Sequence, residues 1–183
     1  LDVTDLAGVQ RAAAAVGDAY GRLDILVNNA GINDAGDGPP ENADIDAVRR
    51  LFDTNFFGAL AVTQAMLPML RASPAGRVVN MSSSLGSMTV NADPASPYYG
   101  VRLIGYNASK AALNMLTVTL GEALRGSSVV VNAACPGYVS TDLNGHSGYL
   151  TPEQGAATPV RLALLPDQQI SGRFFDANGE VPW

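Results

Sequence analysis

Tyr106 and Lys110 stand four positions apart in the stretch Tyr106-Asn107-Ala108-Ser109-Lys110. On a helix that spacing stacks two side chains on one face, which sets a phenol beside an ammonium. A free phenol titrates near ~10 and transfers protons poorly at neutral pH; a neighbouring cation favours the phenolate and lowers that value. The pair therefore points to acid–base work by Tyr106, with Lys110 tuning it. Ten of the eleven basic residues are arginine, and Lys110 is the only lysine. An ammonium is a compact charge with rotatable donors, better suited than a planar guanidinium to reaching a sugar hydroxyl. Taken alone, Tyr-x-x-x-Lys also describes an ordinary pair on a surface helix.

The flanking motifs narrow the choice. Upstream are Asn28-Asn29-Ala30-Gly31, Asn55 in Asn55-Phe56-Phe57-Gly58, and Val78-Val79-Asn80-Met81-Ser82-Ser83-Ser84-Leu85-Gly86; downstream is Cys135-Pro136-Gly137-Tyr138-Val139-Ser140-Thr141. In this order the chain resembles the short-chain dehydrogenase/reductase family, and more loosely its carbonyl-reductase branch, from the first residue to the last. The resemblance implies an NAD(P)-dependent oxidoreductase that reduces a ketone or aldehyde, or oxidises a secondary alcohol. Tyr106 would be the acid or base, with Lys110 lowering its pKa and binding the nicotinamide ribose. Ser83 would bind the substrate oxygen, and Asn55 would hold a water that links Lys110 to solvent. The triple serine leaves Ser82 and Ser84 open for that place, and the Asn80 and Gly86 anchors favour Ser83. For the dinucleotide, the resemblance assigns Asp2 and Val3 to the adenine ring. It sets Asn28, Ala30 and Gly31 along the adenine ribose, and Pro136, Gly137, Val139 and Thr141 at the nicotinamide carboxamide. NADP is the expected cofactor, with NAD as the alternative.

Two departures from the family pattern matter. Its glycine-rich turn, Thr-Gly-x-x-x-Gly-x-Gly, should precede Asn28 by roughly two βαβ units of ~30 residues, yet Asn28 is only the twenty-eighth residue. The chain is thus expected to be one domain over residues 1–183, the last two-thirds to three-quarters of the family domain, without the helix N-terminus that would hold a pyrophosphate. Its first strand should then leave an apolar edge of the kind that recruits other strands. A longer gene product, a second copy over that edge, or marginal folding are the expected consequences, and a non-catalytic binding or assembly module is the alternative function. Second, Ser83 and Tyr106 are 23 positions apart, wider than the family's usual spacing. The extra stretch 91–105 is read as a lid or wall over the substrate. It could cover a face that family members use to dimerise, so monomer and homo-oligomer both stay open. An apolar substrate is expected from Phe56, Met88, Tyr98 and Tyr99. Leu143, His146 and Tyr149 fall in the usual substrate loop, with His146 a loop residue and not a base.

Composition is compatible with this. The chain has 183 residues, 47% of them hydrophobic, and a net charge of −6, enough for a real core. No basic stripe suggests nucleic acid, and apolar runs stop short of a membrane span. One cysteine and one histidine make no disulfide and no metal cluster. A cytoplasmic protein is expected.

The elements that must position these residues alternate. Helices are expected over 3–21, 45–70 (capped by Asp44), 106–125 and 152–165, and strands over 23–29, 77–82, 128–134 and 172–176. This alternation predicts an α/β doubly wound parallel sheet, Rossmann-like.

Overall fold

The computed structural model describes residues 1–166 and 169–183. Four strands, β1 (Ile25–Asn28), β2 (Gly76–Met81), β3 (Val129–Ala134) and β4 (Arg173–Phe175), form a parallel sheet in the order β1-β2-β3-β4. Parallel neighbours need crossovers, and helices supply them. The helices are α1 (Leu6–Tyr20), α2 (Ile45–Phe52), α3 (Ala59–Arg71), α4 (Met88–Ala92), α5 (Ile104–Ala123) and α6 (Pro152–Ala163).

The valine runs explain the layering. Successive strand residues point to opposite faces, so Val78 joins Val62, Leu70 and Val131 in one core under α1 and α3, while Val79 meets Ala134 and Leu162 of α6 on the other. Both faces are covered, as a doubly wound sheet requires. β2 and β3 are buried along nearly their whole length. Among the described residues β1 pairs with β2 alone, and Ile25 and Val27 remain about two-fifths exposed at 38% and 41%. The open apolar edge read from the sequence is therefore present, though only four residues long.

Most expected elements lie within a few residues of their predicted bounds. Asp44 caps α2 by accepting from Asp46 N, and Thr151 with Gln154 forms a capping box ahead of Pro152 in α6. The clear exception is the helix expected over 45–70. It is interrupted by a π-helical segment, Asp53–Gly58, which carries Asn55. Apolar spacing alone does not reveal such a wide turn, because a π-helical segment differs from the α-helix in its hydrogen-bond offset and carries no residue-type signature.

Arg77 is buried at 6% exposure without a carboxylate partner among the described residues. Its Nε and Nη2 donate to Leu165 O at 2.9 and 2.6 Å, and Nη1 donates to Gly76 O. Burial lowers its pKa. A cation on the carbonyl that follows a helix C-terminus is favourably placed, so Arg77 fastens the end of α6 to β2. Arg77→Ala is expected to cost about 1–3 kcal/mol, read as a lower urea midpoint; an unchanged midpoint would show that this tie is dispensable.

Candidate active site

Lys110 is on the buried side of α5, 4% exposed. Its Nζ donates to Met81 O, at the end of β2, at 2.8 Å, and lies 5.6 Å from the centre of the Tyr106 ring. The loop after β2 presses directly on this helix: a Cβ on Gly86 would come within 2.8 Å of Lys110 backbone and side-chain atoms. Only glycine allows that approach, and it sets the Ser83 side chain near the Tyr106 phenol, where it favours the phenolate.

The three serines separate cleanly. Ser82 Oγ turns inward and donates to Asn114 Oδ1 at 2.6 Å. Ser84 donates to Cys135 Sγ at 3.3 Å from both N and Oγ, and it shares a cavity wall with Tyr98. Of the three, Ser83 is the one that acts on the Tyr106 phenol, and it is the serine that the Asn80 and Gly86 anchors favour.

Asn55, 1% exposed, braces the site from the other side. Its Oδ1 accepts from Ile32 N at 2.8 Å, and its Nδ2 donates to Ile32 O and Ser109 Oγ, both at 3.1 Å. Ser109 Oγ in turn donates to Tyr106 O. The π-helical turn frees this amide from its own helix, a device common at functional sites. Gly31 completes the cluster, because a Cβ there would stand 3.4 Å from both Asn55 Oδ1 and Lys110 Nζ.

Other expected cofactor residues have local duties. The Asn28 amide is buried and donates to Thr63 Oγ1 and Asn80 Oδ1, each at 2.8 Å. Ala30 is exposed beside Gly31. The Asp2 carboxylate accepts from Thr4 N and Oγ1, and Val3 packs on Gly58 of the π-helical segment. In the loop after β3, Gly137 is left-handed at φ 82°, Val139 packs on Gly155 of α6, and Thr141 caps the short helical turn Asp142–Asn144. Pro136 is half-buried next to Cys135. Among the described residues no hydrogen bond joins 136–141 to Tyr106 or Lys110.

Part of stretch 91–105 borders a cavity. Ser96, Pro97 and Tyr98 line this cavity of about 350 Å³ with Ser84, Val181 and Pro182. Of the residues expected to make the surroundings apolar, only Tyr98 lines it. Met88 and Tyr99 face solvent, and Phe56 packs on Phe52 and Phe57. His146 lies exposed with Nε2 2.9 Å from Asp142. Sequence reasoning missed the Met81 carbonyl, because backbone acceptors leave no residue-type signal, and it missed the cavity wall that Tyr98 shares with Ser84.

The electrostatics correct one expectation. Tyr106 is not more acidic than a free phenol here. Burial pushes the phenol up to about 12, with Ser83 acting weakly the other way. Burial also pushes Lys110 down to about 8. The ammonium lies over the ring and is engaged by Met81 O, so desolvation outweighs attraction.

This has a pH signature. Between about pH 8 and 10.5 the unfolded chain keeps the Lys110 proton while the native state releases it, so stability rises with pH across that window, by about 3 kcal/mol. Above pH 10 the sign reverses, since the native Tyr106 stays protonated until about 12 while the unfolded phenol ionises. Urea midpoints should climb from pH 8 to 10, and Lys110→Met should flatten the climb. Parallel profiles for the two proteins would contradict this account.

Comparison with known proteins agrees with the geometry. The sequence pattern described as short chain dehydrogenase matches residues 1–149. A short-chain dehydrogenase, anuI, from Penicillium roqueforti is 36% identical over 181 residues, covering 96% of this chain and 71% of that protein. Carbonyl reductase [NADPH] 1 of Mus musculus is 34% identical over 205 residues, covering 90% and 71%. Among solved structures, NADPH-bound carbonyl reductase from chicken fatty liver superposes with a TM-score of 0.85 at 30% identity, covering all of this chain and 75% of that one. With a parallel sheet covered on both faces and Ser83, Tyr106 and Lys110 gathered at its β2 end, the chain belongs to the short-chain dehydrogenase family.

Proposed function

We propose that the chain acts as an NADP-dependent carbonyl reductase, converting a ketone or aldehyde to an alcohol. The observation that carries this reading is the Lys110 ammonium 5.6 Å from the Tyr106 ring centre, with Ser83 acting on the same phenol. The Ser83 and Tyr106 hydroxyls would both hold the substrate oxygen. As the carbonyl carbon gains hydride, Tyr106 would give its proton to that oxygen. Burial keeps Tyr106 protonated at neutral pH, the form a donor needs, and the nearby ammonium would favour the phenolate left behind. Alcohol oxidation needs that phenolate beforehand, so it should gain as pH rises.

The residues present fit the nicotinamide end of a dinucleotide. Gly31 leaves a side-chain-free approach to Lys110 Nζ and Asn55 Oδ1. Lys110 has three N–H donors and gives one to Met81 O, which leaves donors for ribose hydroxyls. When bound, a reduced nicotinamide dinucleotide supplies the hydride. NADP is preferred over NAD because the mouse and chicken relatives are described with NADPH. The substrate would enter beside Ser84 and Tyr98, where Pro97, Val181 and Pro182 favour an apolar body.

Fluorescence titration with NADPH and NADH tests the first half: saturable binding, tighter for NADPH, is expected. Cofactor oxidation against a carbonyl panel tests the second. Tyr106→Phe should bind NADPH normally and lose at least ~10²-fold in kcat. Full activity in that variant would remove Tyr106 from the chemistry. Absence of binding by either dinucleotide would instead favour a non-catalytic module, with the open β1 edge as its contact surface.

A further inference from the structure

Helix α5 carries the acid–base tyrosine in its first turn, yet it supplies no cap of its own. Leu103 at the N-cap position makes no side-chain bond, and no acidic residue lies in the first turn. Instead, a loop nearly seventy residues earlier takes three successive N–H groups. Gly38 O accepts from Ile104 N at 3.0 Å, Asp37 Oδ1 from Gly105 N at 2.8 Å, and Asp37 Oδ2 from Tyr106 N at 2.8 Å.

The loop is built to hold that carboxylate. Asp37 N donates to Asp34 O, Asp44 N donates to Gly36 O, and Gly38 N donates to Asp37 Oδ1. The Asp34 carboxylate accepts from Gly36 N and from Arg50 Nε of α2. Opposite, Gly105 has no room for a side chain: a Cβ would stand 2.6 Å from Leu51 Cδ1 and 3.1 Å from Asp37 Oδ1. The residue before Tyr106 is thus clamped between α2 and the carboxylate. Anionic groups at a helix N-terminus are favourable, but a cap anywhere in the first turn would give that stability. Two oxygens on the adjacent amides of Gly105 and Tyr106 fix the backbone from which the phenol projects.

We propose that Asp37 is a positioning residue for Tyr106, setting the direction of its phenol by holding the first amides of α5 from the loop after β1. The inference rests on the proposed role of Tyr106, so its test includes a readout independent of turnover. Tyrosine labelled with ¹³C at Cζ reports the phenol directly, and Tyr106→Phe assigns its resonance. In Asp37→Ala the Tyr106 signal should shift or broaden, and kcat should fall by about tenfold or more with KM for NADPH within about twofold of wild type. Asp37→Asn keeps one acceptor, best spent on Oδ1's two amides, and turns an NH₂ toward Tyr106 N; it should fold even if the alanine variant does not, and give an intermediate kcat and shift. An unmoved Tyr106 resonance overturns the proposal, as does a moved resonance with wild-type kcat. A wild-type protein without turnover would sink the carbonyl-reductase reading instead, leaving the resonance to decide the place of Asp37.

Discussion

The site depends on a positive charge removed from water. An ammonium in a protein interior is costly unless its donors are met, and Lys110 meets that cost with one carbonyl, Met81 O, at the end of β2. That carbonyl is available because β2 lies between two partners and its last residues emerge beside α5. The same closeness requires Gly86 and brings Ser83 near Tyr106. Desolvation acts on both members of the pair in the same sense, toward the uncharged form. Tyr106 stays protonated near neutrality, and Lys110, pushed down to about 8, remains mostly charged there.

Around this charge the fold places amides where a simpler core would have aliphatic side chains. Asn28 and Asn80, on neighbouring strands, join Thr63 of α3 and Thr117 of α5 in one buried network. Asn55 and Ser109 form a second, between the loop after β1 and the first turns of α5. Buried polar groups that are fully partnered specify one arrangement over near-equivalents. Here each network spans elements that must keep their relative positions for Ser83, Tyr106 and Lys110 to meet.

How legible this was varied with the range of the interaction. Tyr106 and Lys110 could be placed on one helix face from their spacing, and the valine-rich strands and the Thr151 and Asp44 caps from local chemistry. Ser83 could be chosen among three serines only through its anchors. Features that depend on distant partners left no trace in the spacing: the carboxylate of Asp37 on α5, the tie from Arg77 to Leu165 O, and the burial that reverses the expected shift of Tyr106. Aromatic residue type misled where exposure decided, as for Tyr99, and methionine did the same at Met88. Asn28 matched a ligand-binding motif, and its side-chain amide is bonded within the core.

The wide turn at Asp53–Gly58 makes this stretch sensitive to residue count as well as residue type. Each residue of an α-helix advances the chain by about 100°, so deleting one position there would restore regular winding and swing Asn55 away from Ile32 and Ser109. Alternatively Asn55 would stay and α3 would rotate its buried Val62 and Leu70 off the sheet. Neither side can yield cheaply. Insertions and deletions should therefore be excluded from this turn, which acts as a ratchet setting the phase between the site and the core.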